Sequence, residues 1–364
     1  MDSLIEHLKK IKDFRRPQGR RYPLWLILLV VVLGLMTGHL GYRALGDFSR
    51  FQQKALRKYL KIPHHQFPSY STIRRTIMGV DWRNLVEVFN QWASQLISCI
   101  EESKWFAIDG KCLKSTVEHC CDNQQNFVSI VSVFCQENGL VAHLEKIENK
   151  HTSEIHQVQD IIKNAGFRNK VLSMDAVHCQ KPTIDATIES GNDYLIAVKK
   201  NQPKLYQSLE NLAETTMPLS HELSEDKSHG RHINREVSAF PIPETIQAAW
   251  RGSQRFIQVK RSGTRGDDEP YQETAYYLSS CVENSQIFGG KIRGHWGIEN
   301  RLHWVKDVIF QEDNSPIHQF QSMTNLSVLS TIAMNLYRFL GFLSITTGQR
   351  WLSQRLWGLH ILLE

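Results

Sequence analysis

The chain has 364 residues, of which 41% are hydrophobic and 22% charged, with a formal net charge of +6 and a pI near 8.9. These values exclude a disulfide-stapled miniprotein and a low-complexity chain, and they allow a sizeable core shared among two or three structural units. The mildly basic balance suits a polyanionic partner without demanding one. Seven cysteines, an odd number with no Cys-x-x-Cys, read as reduced thiols of a cytosolic protein. Cys112, His119, Cys120 and Cys121 could form a zinc site, but their spacing fits no common finger.

The first hundred residues read as helical. Asp2 or Ser3 can cap a helix over 4–11. The most hydrophobic run, LWLILLVVVLGLM at 24–36, follows a basic stretch at 15–21. It falls short of the roughly 18–20 residues that span a bilayer, and no small-residue cleavage site closes it. A buried helix is expected, with Gly34-x-x-x-Gly38 marking close helix packing. Further helices are predicted over 42–59, 72–78 and 82–100, where Leu85, Val86, Phe89, Trp92 and Leu96 repeat at helical spacing. Short helices joined by Pro- and Ser-bearing turns, with the exposed pair Arg74 and Arg75, suit a DNA-binding module. The competing reading is a packing domain with a solvated basic face.

From Trp105 the period becomes strand-like. Strands are predicted at 105–109, 127–134 and 140–147, the last two joined at Asn138-Gly139. A helix over 154–165, capped by Thr152 or Ser153, precedes a strand at 170–174. A helix over 181–190 then leads to a strand at 193–198. The order β-β-β-α-β-α-β is that of the ribonuclease H fold, with its later strands added through right-handed crossovers. In that arrangement the first and fourth strands are neighbours, which brings Asp109 and Asp175 together. Taken alone, Asp109-Gly110 is most simply a turn.

Residues 199–280 read as an inserted β-rich segment. A helix over 204–213, strands at 229–240, 256–261 and 273–278, and a loop at 263–269 are expected. In the block RGHWGIENRLHWVKD at 293–307, His295, Glu299 and His303 follow at four-residue spacing, so a regular helix would set them on one face. An apolar helix over 323–343 completes the pattern. Two strand-end aspartates and a helical glutamate offer oxygen ligands for two Mg²⁺ or Mn²⁺ ions about 4 Å apart, a set suited to in-line displacement at a phosphodiester. Asp307, Glu312 and Asp313 are alternatives to Glu299. His178 and Gln180 either touch substrate or finish a turn.

AIDGK at 107–111, SMDAVHCQK at 173–181, AVKKNQPKLY at 197–206 and RGHWGIENRLHW at 293–304 closely resemble the DDE transposases of bacterial insertion sequences, in the ISAs-type branch that includes the H-repeat-associated proteins. The resemblance extends to RRYPLWLILLVVVLGL near the start and PSYSTIRRTI at 68–77. It implies an α/β, ribonuclease H-like mixed sheet with flanking helices and a β-rich insertion at about 200–285. That catalytic domain would cover 101–345, between a helical, DNA-binding region at 1–100 and a tail at 346–364. It also implies a metal-binding triad of Asp109, Asp175 and Glu299, with Lys111, Lys199, Arg293, His295, Lys306, Arg74 and Arg75 facing DNA. The wider group carries Tyr-x₂-Arg-x₃-Glu-x₆-Lys around its glutamate; here those positions hold Ile292, His295, Glu299 and Lys306, so the last two match, and Arg293 is a stand-in for the arginine. The implied partners are double-stranded DNA at the element ends and target, with a homodimer on DNA, in the bacterial cytoplasm. The rival readings are a catalytically silent DNA-binding remnant of such an element, and a plain nuclease of the same fold.

Overall fold

The computed structural model describes residues 4–61, 67–98, 103–117, 126–148, 153–228, 231–265 and 270–354. The expected caps at Asp2, Ser3 and Thr152, the possible zinc ligands His119, Cys120 and Cys121, and residues 266–269 of the expected loop lie outside them. The chain forms two compact units. The first comprises Met1–Glu102, Gly110–Ser153 and Glu299–Glu364; the second comprises Ser103–Asp109 and Glu154–Ile298. Strand β1 (Trp105–Cys112) runs through the division, with Gly110 to Cys112 in the first unit.

The first unit is built around α2 (Leu24–Met36). A helix that is apolar all round must be enclosed on every side, and each residue from Leu26 to Leu33 is fully buried. It packs on α1 (Leu4–Lys9), α3 (Gly41–Leu60), α4 (Tyr70–Gly79) and the long α12 (Phe320–Phe339). At Gly34 an added Cβ would lie 2.6 Å from Leu45 Cδ2, so α2 and α3 touch where a side chain could not fit. The antiparallel pair β2 (Val128–Cys135) and β3 (Val141–Glu148) packs on α5 (Trp82–Ser98) and α12. Buried amides fasten these layers. Asn335 on α12 accepts from the Val141 N–H and donates to the Val141 carbonyl, both at 2.9 Å. Asn90 on α5 makes the same pair of bonds to Leu144.

In the second unit the strand order is β1, β4 (Val171–Met174), β5 (Asp193–Val198), β9 (Tyr271–Ser279), β8 (Arg255–Arg265), β7 (Arg231–Pro241) and β6 (Ser220–Ser228). β1, β4 and β5 are parallel, and the remaining neighbours are antiparallel. Helices α6 (Glu154–Asn164) and α7 (Lys181–Glu189) supply the two crossovers. Both faces of a parallel sheet need covering, and β1 reads accordingly. Trp105 joins the core under α10 (Ser285–His295) with Val171, Ile257 and Phe288, while the Phe106 ring lies 5.7 Å from that of Phe167.

The result is a large mixed α/β sheet with flanking helices and a helical N-terminal region. Three features differ from the sequence expectation. β6 was unread because SHELSEDKS is almost wholly polar and none of its described side chains is buried, so no alternation marks it. Helices α8 (Pro203–Thr215), near its expected place, and α9 (Glu244–Ala249) interrupt the β-rich segment, and α13 (Ile345–Gln354) forms where a tail was expected. The N-terminal helices share a core with α12, since α12 buries against α2, α4 and α5.

Asn335→Ala would leave two buried backbone groups of β3 without partners. It should lower the stability of the folded chain by about 2–4 kcal/mol, read as a reduced urea midpoint with an unchanged m-value.

Candidate active site

The candidate site lies where two apolar stretches give way to aspartate: Asp109 follows Trp105–Ile108 within β1, and Asp175 directly follows β4. β1 and β4 are parallel with Ile108 opposite Met174, so the next residue on each is Asp109 and Asp175. Adjacent strands lie about 4.8 Å apart, so this register brings the two residues close, one midway along β1 and one just past the carboxyl end of β4. Asp175 leaves the sheet into a 3₁₀ turn, Ala176–His178, and its side chain is 49% exposed. Lys199, the residue after β5, places its Nζ 3.2 Å from Asp175 Oδ1. Partial burial works against the Asp175 charge, but the Ala176 N–H and the Lys199 ammonium outweigh it and hold the carboxyl below its usual range.

Helix α10 brings a third group to the same strand ends. Phe288, Ile292 and His295 follow at i, i+4 and i+7, and the first two are buried against the sheet. His295 Nδ1 lies 3.0 Å from Ser173 Oγ, and Ser173 Oγ donates to the Phe106 carbonyl at 3.2 Å. The hydroxyl has one proton, so the bond between the two side chains is donated by His295 Nδ1–H, which leaves Nε2 as an acceptor. Burial pushes the His295 pKa down to about 4, against the pull of Asp175, and the ring is neutral at pH 7. A cleft of about 270 Å³ lies here, lined among others by Asp175, Lys199, Arg261, Tyr277, His295 and Trp296. Trp296 is 47% exposed, with the Arg261 guanidinium 5.9 Å from its ring. Arg293 is exposed on α10.

The remaining expected residues belong to the first unit. Glu299 opens a π-helical turn, Glu299–His303, that precedes α11 (Trp304–Val308). Glu299 is exposed and His303 is buried. Such turns are rare and concentrate at functional positions.

Lys111 and Lys306, expected at phosphates, are engaged inside the unit. Lys111 Nζ lies 2.7 Å from Asp307, 3.0 Å from Asp313 and 3.3 Å from Glu312. Its burial opposes the charge, but Glu312, Asp307 and Asp313 outweigh that cost and raise its pKa. Lys306 is 2% exposed, donates to Ser327 Oγ at 2.8 Å and lies 3.8 Å from Glu312. Arg74 and Arg75 are exposed on α4. His178 is buried against Glu154 at 3.1 Å and Gln180 precedes α7, so both serve the interior and the turn.

Asp175, Lys199 and His295 therefore line one cleft of the second unit, with Asp109 next to Asp175 by register, and Lys111 and Lys306 lie in the first unit. Sequence reasoning missed Ser173, Arg261 and Tyr277, and it did not pair Lys111 with Asp307, Glu312 and Asp313. Ser173 stands two residues before Asp175 in a strand, on the same face, which is a signal in principle. The other partners are distant in sequence and carry none.

Residues 102–336 match the family described as Transposase DDE domain, and residues 5–93 match the DDE_Tnp_1-associated family. The chain belongs to the DDE transposase family. Among its relatives is the H repeat-associated putative transposase YhhI of Escherichia coli K12, 27% identical over 92% of this chain and 90% of its own length. Putative transposase YncI of Escherichia coli O157:H7 is 26% identical over 93% of this chain and 88% of its own.

Two outcomes follow from the charges. Lys111→Met would leave three carboxylates around a missing ammonium and should cost about 3–5 kcal/mol of stability, measured by denaturant unfolding. The folded pKa of His295, about 4, lies below the roughly 6.5 of a free imidazole, so the unfolded chain takes up the proton first. The stability contribution of His295 is complete above about pH 6.5 and is lost as the pH falls toward 4. His143, pushed to about 4, and His303, to about 3, add to the same trend. His295→Asn should flatten the fall in unfolding midpoint across this window; an unchanged slope would remove His295 from that account.

Proposed function

We propose that this transposase cleaves DNA at the ends of its insertion sequence and joins the freed 3′-hydroxyl to target DNA, using divalent metal held by Asp109, Asp175 and Glu299. The observation that supports the reading is the parallel register of β1 and β4, with Ile108 opposite Met174 and an aspartate next after each. The donor set is all oxygen, as Mg²⁺ and Mn²⁺ prefer, and Asp175 is held ionised. Among the described residues no three His, Cys, Asp or Glu are gathered as a metal-binding group. The third ligand, Glu299, is argued from the resemblance of the RGHWGIENRLHW segment and from its exposure on the π turn.

When bound, the metal ions supply charge neutralisation at the scissile phosphate and activation of the attacking oxygen. The chain's own residues do the rest. Lys199 and Arg293 offer positive charge to the DNA backbone beside the aspartates. His295, neutral and fixed through Nδ1, holds α10 to β4 and presents an acceptor nitrogen at the cleft. The balance is that of two displacements. Water oxygen attacks phosphorus and the bond to the 3′ oxygen breaks; that 3′-hydroxyl then attacks a target phosphodiester, whose own phosphorus–oxygen bond breaks. The β-rich stretch between Asp175 and Glu299 is the insertion of this fold. Action on two element ends in the cytoplasm calls for a homodimer.

In a cleavage assay on duplexes carrying the flanking sequences of the element, Asp109→Asn, Asp175→Asn and Glu299→Gln should each abolish Mg²⁺- or Mn²⁺-dependent nicking while retaining DNA binding. EDTA should do the same to the unaltered chain. Cleavage retained by Glu299→Gln would pass its place to Asp307, Glu312 or Asp313.

A further inference from the structure

Charge is unevenly spread along the chain. Residues 1–98 hold 16 of the 43 Lys and Arg but 6 of the 37 Asp and Glu, so the rest of the chain is net acidic although the whole is +6. Much of this charge lies on α3. Leu45, Phe48, Ser49 and Leu56 bury one face of that helix. The opposite face carries Arg43, Arg50, Lys54 and, at the cap, Lys61, all exposed. Steps of seven, four and seven residues keep the four within one narrow stripe of a 3.6-residue helix. At 1.5 Å per residue the stripe is about 27 Å long. Its one carboxylate, Asp47, pairs with Arg50 at 2.9 Å. Both side chains are more than half exposed, and such a pair contributes little and opens readily.

Helix α4 meets this stripe directly. An added Cβ at Gly46 would lie 2.6 Å from Tyr70 Cβ and 2.9 Å from Tyr70 N, so the first turn of α4 rests on α3 at a point where only glycine fits. The approach leaves a cleft of about 590 Å³ bordered by Arg43, Arg50, Phe67 and Tyr70, and α4 continues from it with Arg74 and Arg75 exposed.

We propose that the exposed face of α3 is a phosphate-contacting rail for double-stranded DNA, which supplies sequence-independent, metal-independent affinity. A straight row of cations along a rigid helix complements a stiff rod that carries one negative charge per roughly 1.7 Å. A small anion needs no such row. The identity of the polyanion rests on the transposase reading given above; the surface itself rests on the charge and geometry of α3.

The test uses the full chain in EDTA, so that binding is read without cleavage. Affinity for a duplex of about three helical turns, with element-end or scrambled sequence, is measured against salt concentration. Neutralising the stripe in Arg43→Gln/Arg50→Gln/Lys54→Gln/Lys61→Gln should make the slope of log affinity against log salt shallower by about 3–4 on both duplexes. It should lower affinity at about 0.1 M salt by at least about tenfold, with the thermal midpoint unchanged. A charge-retaining Arg43→Lys/Arg50→Lys chain should keep the slope. A control with Lys163, Lys204, Lys227 and Arg251 changed to Gln, all exposed in the second unit, should keep it too. An unchanged slope in the stripe variant, an equal loss in the control, or a loss confined to anionic lipid vesicles would each overturn the proposal. If the unaltered chain binds in this way but never cleaves, the catalytic reading fails while the α3 surface stands.

Discussion

Parallel pairing of β1 with β4 is the constraint on which the candidate site depends. The paired half of β1 and the whole of β4 are apolar and buried, and an aspartate follows each. Because parallel strands run in the same sense, register alone decides whether the two carboxylates become neighbours, and a slip of one residue would also turn every side chain to the other face. The apolar alternation of Trp105, Phe106, Ala107 and Ile108 against two covered faces makes such a slip costly. The core thereby fixes the chemistry at its edge.

Charge is handled in a different way in each unit. In the second unit, Asp175 stays half exposed and is balanced by one exposed lysine, which leaves it accessible to another cation. In the first unit, Lys111 and Lys306 are drawn inward and matched by Asp307, Glu312 and Asp313. Buried charges are tolerable there because each has a partner within a few ångströms. The difference separates groups that are free to exchange partners from groups that hold a segment in place.

Elements with a strong local signal were legible in advance. The helix at 24–36 is apolar on all sides, 105–108 and 194–198 are apolar runs within β1 and β5, and α5 repeats its buried residues at helical spacing. Asp109 and Asp175 could be found because a carboxylate directly after an apolar run is conspicuous. β6 and α9 left little pattern to read: one is polar on both faces and the other spans six residues.

The sequence by itself determined the helices and strands with a strong local pattern, the two aspartates that follow apolar stretches and the membership of a transposase family, because periodicity and motif are local properties. Only the tertiary structure decided that Lys111 and Lys306 turn inward to distant carboxylates. The same holds for the Ser173 bond that fixes the protonated nitrogen of His295, and for the seating of α4 on α3 at Gly46. Each of these depends on residues far apart in the chain, and their distances are set by packing rather than by spacing.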